Sequence, residues 1–189
     1  MRKAILALIA AATTTADPLG DLDGVEPLLQ KFAPPGFLDE YRLPTEEDIQ
    51  GDWVTYLEGG WYDDKAVKTG HLPLVARGDF NGDGVGDLAV LMVSRTSDWD
   101  GLFCLLSDGA GSFEFQVLTD RVPGVEWHGI ATVPPGTYET LAAGGCGDGP
   151  PEVTLEHDGI DFWKFEVNDT YFVWDAASGS FSRVWISGC

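Results

Sequence analysis

The sequence predicts an α+β fold, mainly antiparallel β-sheet built from hairpins and a meander, preceded by short N-terminal helices. Two observations carry this expectation. Up to Gly60 the apolar residues follow helical spacing, whereas from His71 onward they fall in short runs separated by turn residues. A third concerns extent: no linker or change of composition divides 17–189, so one domain is expected there.

In chain order, Met1-Arg-Lys, the apolar run Ala4 to Ala12 and the small residues up to Ala16 read as a signal peptide, 1–16. The run is too short to span a bilayer, and no other stretch qualifies, so no membrane span is expected. The protein is therefore expected to be exported, periplasmic or extracellular. Leu22, Val25, Leu28, Leu29 and Phe32 mark one face of a first helix that stops at Pro34-Pro35-Gly36. Thr45 with Asp48 forms an acidic capping box for a second helix, whose apolar face would be Ile49, Trp53, Tyr56 and Leu57 before Gly59-Gly60.

The strands follow. His71 to Arg77 and Leu88 to Val93 flank an acidic turn, and Leu102 to Ser107 and Phe113 to Leu118 flank Asp108-Gly-Ala-Gly-Ser, together a four-strand meander. Val133-Pro-Pro-Gly136 is a turn. Val153 to Glu156 and Ile160 to Phe165 read as a hairpin about His157-Asp-Gly159, and Tyr171 to Trp174 as a hairpin with Phe181 to Ile186.

The most informative stretch is Gly78 to Asp87, Gly-Asp-Phe-Asn-Gly-Asp-Gly-Val-Gly-Asp, where oxygen-bearing side chains recur at every second position. Asp79, Asn81 and Asp83 stand at positions one, three and five of a calcium loop, Val85 offers its carbonyl at seven, and Asp87 stands at nine. Ca²⁺ takes hard oxygen ligands, which a tightly curled chain supplies most easily from alternate residues. Gly84 at position six permits positive φ at the bend. Three carboxylates repel one another until a cation neutralises them, so ion and local fold should be coupled. An EF-hand would need a Glu at position twelve and flanking helices; here Val90 stands there, between strand-like runs.

A strand, then Gly-Asp-Phe-Asn-Gly-Asp-Gly-x-x-Asp, then Leu-Ala-Val resembles the calcium loop of FG-GAP and VCBS repeats in integrin-type β-propellers. The resemblance implies Asp79, Asn81, Asp83, Val85 and Asp87 as the metal ligands. It covers this one loop. Asp21-Leu-Asp-Gly and Asp98-Trp-Asp-Gly lack the other ligands, so the repeated propeller and its adhesion function are not implied. The ending Phe-Val-Trp-Asp to Arg-Val-Trp-Ile-Ser also resembles a group of exported bacterial proteins of unassigned function.

The net charge of −20 disfavours nucleic acid and anionic membranes as partners. Of three cysteines, Cys104 lies in an apolar run and reads as a buried thiol, leaving Cys146 and Cys189 as the expected disulfide. Seven tryptophans are many for this length. Trp163, Trp174 and Trp185 sit in strand-like runs and read as core, while Trp61 and Trp99 sit in loops and are the candidates for ligand or partner contact.

No catalytic motif is found: there is no Gly-x-Ser-x-Gly, His-Glu-x-x-His, Walker loop or Gly-x-Gly-x-x-Gly, and His71, His128 and His157 are far apart. The expectation is thus a non-enzymatic binding module with one structural calcium, of inhibitor or immunity type, acting on a protein partner. The alternatives are a calcium-dependent glycan binder and a small cell-wall or polysaccharide hydrolase carrying calcium structurally.

Overall fold

Strands rich in branched apolar residues and free of charge beyond their first position must be covered on both faces, and two such strands form the centre of this molecule. A computed structural model describes residues 22–48, 73–164 and 167–188. The described chain forms two short helices followed by mainly antiparallel β-sheets. The helices are α1 (Val25–Phe32) and α2 (Phe37–Glu40), and the strands run from β1 (Tyr41–Arg42) through β2 (Val75–Gly78), β3 (Asp87–Ser94), β4 (Asp100–Ser107) and β5 (Phe113–Val122). Then come β6 (His128–Val133), β7 (Gly136–Glu139), β8 (Glu152–Leu155), β9 (Gly159–Lys164), β10 (Asn168–Asp175) and β11 (Ser180–Trp185).

The first sheet is a meander, β2 to β5 in chain order, with β1 added beside β3. One edge of β3 is shared: Asp87 to Val90 pair with β2, and Val93 and Ser94 pair with β1. Leu88 to Met92 and Leu102 to Leu106 are all buried, whichever face they point to. One face lies under the helices. Phe37 packs edge-on against Phe103 and Phe115, and Phe32 packs on Phe113. The helical spacing therefore did its expected work, burying Val25 and Leu29, and Ala33, held extended before Pro34, ends α1.

The second sheet, in the order β6, β9, β10, β11, is again an antiparallel four-strand meander, interrupted after β6 by the separate β7–β8 hairpin. Its Ile130, Ile160, Phe162 and Phe172 belong to the same core cluster as β3, β4 and the helices. The segment 73–78 joins the sheets: Leu91 donates to the Leu74 carbonyl at 2.9 Å on one side, and Ile130 donates to the Pro73 carbonyl at 2.8 Å on the other. On the opposite face of the second sheet Tyr138 of β7 packs edge-on against Tyr171. Burial, reinforced by the charge of Asp161, pushes the Tyr171 hydroxyl up to about 12.

Three expectations need correction. Strands β8 and β9 do not pair with each other; β8 pairs with β7 and β9 with β6 and β10, so His157-Asp-Gly159 crosses between sheets. Chain proximity suggested a hairpin, but the strand before the Pro-Pro turn competes for the same edge. Trp185 is 44% exposed, because β11 is an edge strand, while Trp163 is buried as expected. The first helix is followed by two unanticipated elements, α2 and β1, too short to leave a periodic pattern.

Of the proposed second helix, only its start lies among the described residues. There Asp48 accepts from the Thr45 amide at 2.7 Å, the reciprocal half of a capping box, and also accepts from the two terminal guanidinium nitrogens of Arg42 at 2.5 and 2.6 Å. Residues from Ile49 to Leu57 lie outside the described residues, as do the expected signal peptide, Trp61 and Cys189.

The Arg42 hydrogen bonds, opposed by partial burial, lower the Asp48 carboxyl to about 2 from an ordinary 3.8. A depressed folded-state value stabilises the fold above the unfolded value and is lost as pH falls through the folded one. Asp48→Ala should therefore cost about 1–2 kcal/mol at neutral pH, the lower end allowing for solvent screening. In urea titrations across pH, its deficit against the wild type should hold above pH 3.8 and close as pH falls towards about 2.

Candidate metal centre

The turn between β2 and β3 spans 79–86 and closes on the Gly78–Asp87 strand pair. Its alternating Asx residues fold the chain on itself, because a short side-chain oxygen reaches backbone N–H groups a few residues ahead. Asp79 accepts from the Asp83 amide on Oδ1 at 3.0 Å and from the Gly84 amide on Oδ2 at 2.9 Å. The Asn81 side-chain oxygen accepts from the same Asp83 amide at 3.1 Å, and Asp83 Oδ1 accepts from Val85 at 2.8 Å. Asn81 Nδ2 donates to Asp83 Oδ2 at 3.1 Å. Two of the expected ligand side chains, Asp79 and Asn81, thus meet at the Asp83 amide, and the third, Asp83, is tied to Asn81.

Gly82 and Gly84 take φ of +77° and +82°, so the glycine needed at position six has the backbone conformation that the loop requires. Phe80, at position two, is fully buried and anchors the turn to the core.

Asp87 is placed differently. It is 3% exposed; Oδ2 accepts from the Phe80 amide and Oδ1 from the Ser107 amide, each at 2.8 Å. Burial pushes its carboxyl above the ordinary value, against the downward pull of those two N–H groups. Its evident duty is to tie the loop to the end of β4. Among the described residues no three His, Cys, Asp or Glu side chains come together as a metal-holding group. The oxygen-bearing side chains of the turn are the carboxylates of Asp79 and Asp83 and the amide oxygen of Asn81. That all-oxygen set suits a hard cation such as Ca²⁺ and does not suit zinc or copper.

A residue that spacing could not single out is Asp158. Its Oδ2 accepts from the Asp79 amide at 3.0 Å, from the far side of the β8–β9 connection. Asp100 is another: it is buried, accepting from Ser94 at 2.8 Å and from Val125 at 2.9 Å, and burial raises its carboxyl.

The remaining candidates are dispersed. Trp99 is 49% exposed in the β3–β4 turn. Cys146 is disulfide-bonded and sits in the β7–β8 connection, while Cys104 is free, buried and held far above ordinary thiol values by desolvation. His128 begins β6, faces the Gly124 carbonyl through Nδ1 at 2.7 Å and stacks on Phe162; burial lowers its pKa, which favours the neutral ring. Among the described residues no helix is long and apolar enough to cross a membrane. No family model, curated protein or solved structure matches the chain. The likeness to FG-GAP loops accordingly rests on the residues of this turn alone.

Three substitutions test this geometry without any ion. Gly84 has open space where a Cβ would stand, so Gly84→Ala should cost only the left-handed backbone penalty, about 1–2 kcal/mol. A Cβ on Gly82 would lie 2.5 Å from Cδ2 of His157, so Gly82→Ala should lower the melting temperature in chelator distinctly more. Asp87→Asn supplies one acceptor oxygen to two N–H donors, and should cost about 1–3 kcal/mol, read as a lower urea midpoint at unchanged slope.

Proposed function

We propose that this chain is an exported, non-enzymatic binding module in which the β2–β3 turn holds one structural Ca²⁺. The observation that carries the metal reading is the convergence of Asp79 and Asn81 on the Asp83 amide and of Asn81 on the Asp83 carboxylate, with Gly84 at positive φ. Asp79, Asn81, Asp83 and the Val85 carbonyl would be the ligands. Asp87 would join them through a water or a free lone pair while keeping its backbone bonds. The ion's contribution is to neutralise the loop's carboxylates and pin the β2–β3 register, which requires no reaction at the site.

The binding reading, directed at a protein partner in the manner of an inhibitor or immunity protein, rests on the absence of catalytic motifs from the sequence. Glycan binding is the second reading, favoured by the exposure of Trp99 in a turn where its ring could stack on a sugar.

Added calcium should raise the melting temperature of the wild-type chain, and Asp83→Ala should remove most of that rise. An equal rise in the variant would place the ion elsewhere. Pull-down from the native secretome with and without chelator addresses the partner, and a glycan array with Trp99→Ala addresses the second reading.

A further inference from the structure

The calcium turn belongs to the first sheet, yet part of its support comes from the second. Asp158, between β8 and β9, takes the Asp79 amide at 3.0 Å. The fit there is close: a Cβ on Gly78 would lie 2.8 Å from the same Asp158 oxygen and 3.0 Å from the Thr132 methyl of β6. His157, the preceding residue, lies over Gly82, whose absent side chain leaves room for the ring. Thr132 Oγ1 donates to the Arg77 carbonyl at 2.8 Å just before the turn. The second sheet therefore touches the turn at its first ligand and again between its second and third.

We infer that Asp158 is a positioning residue of the calcium loop, so that filling the loop couples the two sheets. This rests on the calcium reading above. Asp79 is the first ligand, and its carboxylate is already oriented by the Asp83 and Gly84 amides. Fixing its own N–H from outside restrains the backbone of that residue as well. Outer-sphere partners orient metal ligands in this way, and their loss weakens binding without removing a ligand. Asp158 also places a further negative charge beside the turn, which favours a cation. The two contributions separate by substitution: Asp158→Asn keeps an acceptor oxygen and drops the charge, whereas Asp158→Ala drops both.

The test is calorimetric titration of the full chain with CaCl₂, for the wild type and both variants, together with amide hydrogen exchange with and without calcium. Wild-type binding with about tenfold weaker affinity in Asp158→Ala, and an intermediate value in Asp158→Asn, is the expected pattern. In the wild type, calcium should also slow exchange at 156–160, outside the loop itself. Wild-type affinity in Asp158→Ala, even with a lower melting temperature, would make Asp158 a plain structural tie and overturn the inference. So would calcium-insensitive exchange at 156–160 in the wild type, a result that stands even if the alanine variant fails to fold. Absence of calcium binding by the wild type would instead remove the calcium reading on which the inference is built.

Discussion

Two buried aspartates hold the central strand pair in a reciprocal way, and much of the architecture depends on them. Asp87 opens β3 and binds the amide of Ser107, which ends β4; Asp100 opens β4 and binds the amide of Ser94, which ends β3. Each also reaches a third segment, Phe80 in the turn for Asp87 and Val125 ahead of β6 for Asp100. Leaving a carboxylate out of water costs several kcal/mol, and hydrogen bonds to a charged group return about 1.5–3 each. That balance is close. Both carboxyls sit above their ordinary range, which shows burial outweighing the donors. The gain is specificity: the Ser107 and Ser94 amides are reached together in the observed register of β3 on β4.

From these ties the rest can be followed outward. Fixing Phe80 sets the base of the 79–86 turn, the Asx bonds curl the remainder, and Asp158 holds the Asp79 amide from outside. Fixing Val125 sets where β6 begins, and β6 in turn meets the segment 73–78 through Ile130 and Thr132. The turn and the second sheet are therefore brought together by the same pair of strands. A cation in the turn would act at a junction, where a local change of charge is felt by two sheets sharing one core.

The two ends of the first sheet differ in character. At one end lie the acidic turn, Asp108 and the β8–β9 connection; at the other, the β3–β4 turn exposes Trp99 and the segment before β6 exposes Trp127. An acidic end and an aromatic end suit the proposed module, in which a metal would maintain shape while recognition happens elsewhere.

Local patterns alone determined a good deal: the apolar stripe of α1, the meander β2 to β5, the β10–β11 hairpin and the Asx-rich turn with its glycine at position six. Each depends on residues within a few positions of one another, and side-chain periodicity or turn stereochemistry reports such relations directly. Tertiary structure alone decided the rest. Val153 to Glu156 and Ile160 to Phe165 looked like partners because strand pattern says nothing about which edge is open, and those edges were taken by β7 and β6. Asp158, Asp100 and the second duty of Asp87 were invisible for a related reason. A carboxylate binding an amide 79, 25 or 20 residues away leaves no periodic trace, since that meeting is set by how whole sheets pack.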